Sequence, residues 1–522
     1  MRIQFLRVTQ LSILPAIFAG FVLSRAVAAE SRHVVVVVWD GMRPDFVTEQ
    51  NAPTLWKLAQ DGVTFRNHHA VFPSATNVNG TAIATGAYPE RSGILANHVY
   101  RPELDARKSI DVEASAVVEK GDIWSGGKYV AVPTIAELVQ DASGTTAIAT
   151  AKTVGLLLDR HVDPARGKKS LTVFAGASVP PDAAASIAKT LGAFPPATKP
   201  QERDGWTTKA LTDFLWKDHV PAFSILWLSE PDDTQHKTAP GAAAALDAIK
   251  SSDENLGRVL AALDRHHARE TTDIFIVSDH GFSTIRRMIE LPKILKEAGF
   301  KVVTEFSEKP KAGEIMIVGN GGSVLFYVTQ QDATVTRRLV DFLQQSDFAG
   351  VIFTKQRMDG TFPLSRAKID NETAPDVAMS FRWNENKNQF GVPGMIDADW
   401  QRAAGKGTHA TLGRFDMHNI LIATGPDFRK GLTSDLPSGN VDLAPTILAI
   451  LGIKSPQPMD GRVLSEAMLN NDNAAPTPET ETIESTKIFW SGTWRQSLKI
   501  SRVGSTIYLD EGNGSFVPGT VR

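Results

Sequence analysis

The feature that most constrains this chain is a run of five valines, Val34, Val35, Val36, Val37 and Val38, enclosed by His33 and Trp39 and ending in Asp40-Gly41. A β-branched stretch with no polar residue on either face fits a strand covered on both sides, as in a parallel sheet between helices. Similar runs recur at 145–149, 222–228, 273–278, 377–381 and 419–424, and helical patterns lie at 54–61, 133–140, 242–266 and 335–345. The alternation reads as an α/β fold on a mostly parallel sheet flanked by helices, with ligands gathering beyond the carboxyl ends of the strands. Asp40 stands at such an end, although an acid after a strand also serves as a cap or turn residue.

Composition narrows the chemistry. The 522 residues include no cysteine, which removes disulfides, thiolate nucleophiles and cysteine-bound zinc together. Any metal must sit on His, Asp or Glu. A formal net charge of −3 provides no basic field for nucleic acid, so no such partner is expected. At the start, Arg2 and Arg7, an apolar stretch over 11–23 broken by Pro15, and Ala26-Val27-Ala28 match a secretory signal cut near Ala28 or Ala29. The stretch is shorter than the roughly 20 residues that span a bilayer. A secreted or periplasmic protein with a bacterial signal and no stable membrane anchor is therefore expected. The domain reading is a signal peptide over 1–29, a main domain with insertions over 30–468, a polar proline-bearing linker over 469–486, and a small β appendage over 487–522.

Hydroxyl and ionisable groups collect near the strand ends. After Phe72-Pro73, Thr76 opens a helical stretch that Gly86 stops, where its hydroxyl caps the helix or faces an anion drawn to unpaired N–H groups. Behind 222–228 come Asp232 and His236, able to turn a carboxylate and an imidazole to one point; the alternative is a solvated polar loop. Behind 273–277 come Asp279 and His280, adjacent ionisable groups that each need a partner at the end of a buried strand. A metal supplies one. His409 lies in a glycine-bearing polar stretch, unremarkable alone, while His68, His69 and His418 read as surface or cap residues.

Taken in order, these pieces resemble the alkaline phosphatase superfamily and, within it, the type I phosphodiesterase/nucleotide pyrophosphatase family. The likeness extends over nearly all of 34–462. It rests on Asp40-Gly41, Thr76 with Asn79, Thr85-Gly86-Ala87-Tyr88-Pro89-Glu90, Glu230-Pro231-Asp232 with His236, Ser278-Asp279-His280-Gly281, His409, and the tail pieces Val441-Asp442-Leu443-Ala444-Pro445-Thr446 and Met459-Asp460-Gly461-Arg462. The resemblance implies an alkaline-phosphatase-like fold and a hydrolase of phosphodiester or nucleotide pyrophosphate bonds, acting on a small-molecule phosphate ester or nucleotide. It implies two zinc ions, one held by Asp232, His236 and His409 and the other by Asp40, Asp279 and His280. Thr76 then lies against the second ion as the nucleophile, and Asn79 donates its amide N–H to a phosphoryl oxygen.

The chain also departs from that family. Asn77-Val78-Asn79 follows Thr76 in place of Phe-Pro-Asn, and a Thr-Asn-x-Asn start resembles the phosphonoacetate hydrolases of the same superfamily. A phosphate monoesterase and a phosphonoacetate-type hydrolase thus stand as alternatives on the same metal core. A non-catalytic exported binding protein with a structural metal site is the alternative from another class. No Arg or Lys falls in the motifs around Thr76, with Arg91 the nearest exception. A neutral donor suits the single charge of a diester, so a diester is expected to be preferred to a monoester.

Overall fold

The valine run forms the strand His33–Trp39 inside a nine-stranded sheet, and residues 34–39 are wholly inaccessible to solvent. Its odd and even members serve different cores. Val34, Val36 and Val38 pack with Ile83 of the helix Thr76–Thr85 and Ile447 of the helix Leu443–Ile450. Val35, Val37 and Trp39 pack with Leu55 of Pro53–Asp61 and with Leu256 and Val259 of Ala243–Arg265. That is the two-sided burial an unbroken apolar strand demands.

The computed structural model describes residues 32–160, 170–470 and 475–519, so the expected signal peptide and residues 471–474 of the expected linker lie outside the described residues. Across the central sheet the strands run Leu432–Ser434, Val63–Phe65, Leu421–Thr424, Thr272–Val277, His33–Trp39, Phe223–Leu228, Thr146–Thr150, Ser170–Phe174 and Ala177–Val179. The five from Thr272–Val277 to Ser170–Phe174 are mutually parallel. Leu421–Thr424 is antiparallel to both its neighbours. The run at 377–381 belongs elsewhere: Val377–Phe381 lies in a separate six-stranded sheet, antiparallel to Ser323–Val328 and Ala349–Thr354. All five of its residues are buried, and complete burial fixes the composition of a strand without fixing its direction.

At the C-terminus, Glu479–Phe489, Gly492–Val503 and Thr506–Pro518 form an antiparallel sheet. Its first strand begins at Glu479, inside the stretch read as linker, because residues 479–486, Glu-Thr-Glu-Thr-Ile-Glu-Ser-Thr, mix β-branched residues with acids and so suit an edge strand. Nor does this sheet stand apart. Leu498, Ile500 and Leu509 share one core with Val351, Phe353 and Leu412. The Gln496 side chain accepts from Ile352 N at 2.7 Å and donates to Ile352 O at 3.2 Å, imitating a paired strand. Trp494 is fully buried and donates to Gly360 O at 2.9 Å, whereas Trp490 at the hairpin tip is 99% exposed.

Trp494→Ala removes a ring that packs with Leu343, Phe348 and Phe381 and should destabilise the protein by about 3–5 kcal/mol. With a shared core, the loss is expected as a lower midpoint of the main transition in denaturant titration followed by circular dichroism. An early separate transition that leaves the main midpoint unchanged would contradict it.

Candidate active site

Three neighbouring parallel strands end at one edge of the sheet, and each delivers an acid there. Asp40 follows His33–Trp39 directly, Asp232 opens the short helix Asp232–Lys237 behind Phe223–Leu228, and Asp279 lies two residues beyond Thr272–Val277. The connections are tied to one another. Asp232 N donates to Asp40 O at 3.1 Å, Gly41 N to Asp279 Oδ1 at 3.1 Å, and Gln235 Nε2 to Gly41 O at 3.0 Å. Gly41 has φ +68°, and a Cβ there would stand 2.9 Å from the Phe282 ring, so both conformation and space call for glycine. His409 arrives from another direction, just after the strand Gly407–Thr408.

All three histidines hold one tautomer for the same reason. His236 Nδ1 is 3.0 Å from Gly407 O, His280 Nδ1 is 2.8 Å from Gly281 O, and His409 Nδ1 is 2.8 Å from Ser74 O. A carbonyl oxygen only accepts, so each Nδ1 carries a proton, and in the neutral imidazole each Nε2 keeps its lone pair. Those Nε2 atoms turn to the carboxylates: His236 and His409 lie 3.3 and 3.6 Å from Asp232 Oδ1, and His280 lies 3.6 Å from Asp40 Oδ1 and 3.2 Å from Asp279 Oδ2. Among the described residues, Asp40 Oδ1, Asp232 Oδ1 and Asp279 Oδ2 are buried without a hydrogen-bond partner. Acceptors facing acceptors around a shared space are what a divalent cation joins, and an oxygen and nitrogen donor set without thiolate fits zinc-like ions. Donor atoms of Asp232, His236 and His409 lie within 4.8 Å of one another, as do those of Asp40, Asp232 and His280. Asp232 thus belongs to both clusters, and Asp279 joins the second through His280.

The electrostatics point the same way. Burial, and then the neighbouring Asp279 and Asp232, push the Asp40 carboxyl well above the usual range. Burial also pushes Asp232 up, but His236 and Lys152 against it prevail and hold it well below its ordinary value. Burial and the nearby His280 hold His409 well below the ordinary imidazole value although Asp232 opposes them, which keeps it a neutral donor. Thr76 is 5% exposed, and its Oγ1 is 3.4 Å from His280 Nε2. It is the first residue of its helix, not the cap: Ala75 takes that position, so the hydroxyl is not engaged in capping.

Asn79 is not where its expected role requires. Its Nδ2 donates to the carbonyls of Val71, Pro73 and Ala75, and its Oδ1 accepts from Val71 N and Asn440 Nδ2. It braces the loop before Thr76 and has no exposure. Arg91 points away, bonded to Asp460 and Pro458 O. His68 and His69 are buried, not superficial, the first between Ser438 and Asn440 and the second against Asp510. Three residues were missed. Lys152 Nζ lies 2.8 Å from Asp40 Oδ2 and 2.6 Å from Asp232 Oδ2, Trp227 Nε1 donates to Asp40 Oδ2 at 2.9 Å, and Asn97 accepts from Asn77 N at 2.9 Å through Oδ1. A signal existed for Lys152, which lies two residues past the strand Thr146–Thr150, the same placement that singled out the acids. Thr76, Asn97, Lys152, Arg203, His236 and His409 all line one open cavity of about 470 Å³.

A model of the family described as type I phosphodiesterase / nucleotide pyrophosphatase matches residues 34–383. Venom phosphodiesterase 2 of Crotalus adamanteus is 24% identical over 264 residues, 49% of this chain. The chain spans only 27% of that protein's length. Ectonucleotide pyrophosphatase/phosphodiesterase family member 7 of Rattus norvegicus is 22% identical over 453 residues, covering 86% of this chain and 89% of that one. Among solved structures, an inactive variant of murine ectonucleotide pyrophosphatase / phosphodiesterase 5 in complex with AMP superimposes with a TM-score of 0.61 at 17% identity, over 84% of this chain and 100% of that chain. At that identity the likeness is one of fold.

The position of Asn79 makes a prediction. Asn79→Ala strips partners from buried carbonyls and should cost about 2–4 kcal/mol of stability, seen as a lowered unfolding midpoint. A variant of unchanged stability and strongly reduced turnover would instead restore it as a ligand-facing donor.

Proposed function

The chain belongs to the type I phosphodiesterase / nucleotide pyrophosphatase family, and from that premise we propose that it is an exported two-zinc hydrolase of phosphodiester or nucleotide pyrophosphate bonds, working through a phosphothreonine at Thr76. One observation supports this above the others: imidazole nitrogens and partnerless buried carboxylate oxygens surround a single space beside the Thr76 hydroxyl, which lies 3.4 Å from His280 Nε2. In this reading Asp232, His236 and His409 hold one ion, and Asp40, Asp279 and His280 hold the other. Bound there, the ions would neutralise the phosphoryl oxygens and lower the pKa of the attacking hydroxyl and of water.

The chain's own residues do the rest. Thr76 Oγ1 attacks phosphorus, its proton passing through solvent to the leaving oxygen as the P–O bond breaks; water then attacks the same phosphorus, one of its protons restores the Thr76 hydroxyl as the Thr–O–P bond breaks, and a phosphate monoester is released. Asn97, its Oδ1 engaged by Asn77 N, keeps its amide hydrogens for a phosphoryl oxygen, the role first assigned to Asn79. A purely structural metal site favours a closed shell, whereas His236 and His409 border an open cavity, which weighs against the binding-protein alternative. Export rests on the pattern over 1–29; among the described residues no helix is long and apolar enough to cross a membrane.

A second reading, phosphate monoesterase, has one specific observation behind it. Lys152 and Arg203, from segments outside the recognised motifs, bring two cationic side chains to the cavity, and a dianionic monoester needs such groups more than a diester does.

Chelation followed by dialysis should abolish hydrolysis of an aryl phosphodiester, and zinc should restore it with two equivalents bound by elemental analysis. Thr76→Ala should keep the metal and lose about three powers of ten in kcat or more; a milder loss would refute the covalent route. With one aryl leaving group, the diester is expected to have the higher kcat/KM, and Lys152→Met to depress monoester hydrolysis more than diester hydrolysis. A parent preference for the monoester that vanishes in Lys152→Met would assign the protein to the phosphatases.

A further inference from the structure

The cavity beside Thr76 extends beyond the metal cluster to a wall that the proposed chemistry does not use. It is built from Asn320 with its flanking glycines and from Gln401 and Arg402, facing His98. Most of its polar groups serve the wall itself. Asn320 Oδ1 accepts from His98 N at 2.8 Å and its Nδ2 donates to His98 O at 3.0 Å. Gln401 Nε2 donates to Gly319 O at 2.9 Å and Asp399 Oδ2 at 3.0 Å. Asp399, buried, also receives Gly321 N at 2.7 Å and Gln401 N at 3.0 Å. Gly319 is required here, since a Cβ would stand 2.3 Å from Asp399 Oδ2. Arg402 is different: it is half-buried in the cavity lining, and among the described residues no carboxylate lies within ion-pair distance of its guanidinium. Burial lowers the His98 pKa and Arg402 adds to this, although Asp111 opposes it. One fixed positive charge therefore faces the cavity on this side, with a neutral imidazole beside it; the charge also acts on the buried Asp399, opposing the burial that raises that carboxyl.

The same cavity offers little large aromatic surface to a nucleobase. Among the described residues lining it there is no Phe, Tyr or Trp, and the residue after Thr76 is Asn77. A base there would have only the His98 ring and the Arg402 guanidinium to stack on, whereas a guanidinium with no carboxylate in ion-pair reach is suited to a carboxylate or phosphate. We propose that Arg402, with His98, is the recognition site for a second anionic group on the substrate, whose class is then a small phosphoester carrying a carboxylate or further phosphate. This rests on the phosphoester-hydrolase reading above and narrows it.

The test compares ethylphosphonate with 2-carboxyethylphosphonate, inert probes that differ by one carboxylate, titrated calorimetrically into the zinc-loaded protein and its Arg402→Gln and Arg402→Lys variants. The carboxylate should tighten Kd at least about tenfold in the parent, lose that advantage in Arg402→Gln, and regain part of it in Arg402→Lys. Equal affinities in the parent, or an advantage that survives in Arg402→Gln, would overturn the proposal, as would AMP binding more tightly than 2-carboxyethylphosphonate with no dependence on Arg402. Turnover of an aryl ethyl phosphodiester by the same samples reports separately on the hydrolase reading. An Arg402-dependent carboxylate advantage without turnover counts against hydrolysis alone, and turnover without the advantage counts against the anion site alone.

Discussion

Three carboxylates, Asp40, Asp232 and Asp279, lie buried at the ends of adjacent parallel strands, and the rest of the site depends on how their repulsion is relieved. Like charges brought together out of water drive one another to protonate unless a cation joins them. The opposite displacements of Asp40 and Asp232 express that competition: Asp40 faces mostly acids and is pushed up, while Asp232 has His236 and Lys152 against it and is held down. Lys152 bonds to the Oδ2 atoms of both Asp40 and Asp232, leaving both Oδ1 atoms to the histidine side. With Asp279 Oδ1 taken by Gly41 N, the ammonium still leaves Asp40 Oδ1, Asp232 Oδ1 and Asp279 Oδ2 without a hydrogen-bond partner, and that remaining demand is what the proposed metal ions would meet.

Such a cluster persists only if its backbone cannot relax away. Asp204 accepts Ser229 N at 2.7 Å, Ser229 Oγ at 2.9 Å and Glu230 N at 3.1 Å, fixing the turn that aims Asp232. Asp416 does the same for the loop after His409, receiving Thr411 N at 3.0 Å and the hydroxyls of Thr411 and Ser283 at 2.5 Å. Each bracing acid is itself buried, and its charge is carried by several donors at once. Asp204, raised by burial to about 7 despite those bonds, shows how finely that balance stands.

Much of this was legible in the sequence because strand-end chemistry is local. A buried run followed by an acid identifies both the strand and the edge, and Asp40, Asp232 and Asp279 were found that way. What escaped was anything set by three-dimensional neighbours. Asn79 carries an amide of the right kind one turn from Thr76, but whether that amide faces a ligand or its own loop depends on Val71 and Asn440, the latter 361 residues away. Val377–Phe381 carries the same apolar signature as the parallel strands, since burial is blind to direction. Lys152 lies within reach of the same strand-end rule, two residues past Thr146–Thr150, and a cluster of buried acids calls for such a cation.

The C-terminal sheet has a physical connection to this centre that its place at the end of the chain conceals. Asp510 pairs with His69 at 3.0 Å, and Tyr508 Oη donates to Asp442 at 2.8 Å. Asp442 in turn accepts Gly439 N at 2.8 Å, beside Ser438 and Asn440. Asn440 then reaches forward, donating to Asp279 O at 2.7 Å and to Asn79 Oδ1 at 2.9 Å, while His68 bonds to its Oδ1. A continuous set of buried hydrogen bonds thus runs from the last strand to the backbone of Asp279 and to the residue that holds the loop before Thr76. Buried polar groups are costly when any partner shifts, so this chain of bonds favours a single arrangement of the site. The terminal sheet is accordingly part of what holds the acids, and the hydroxyl beside them, in place.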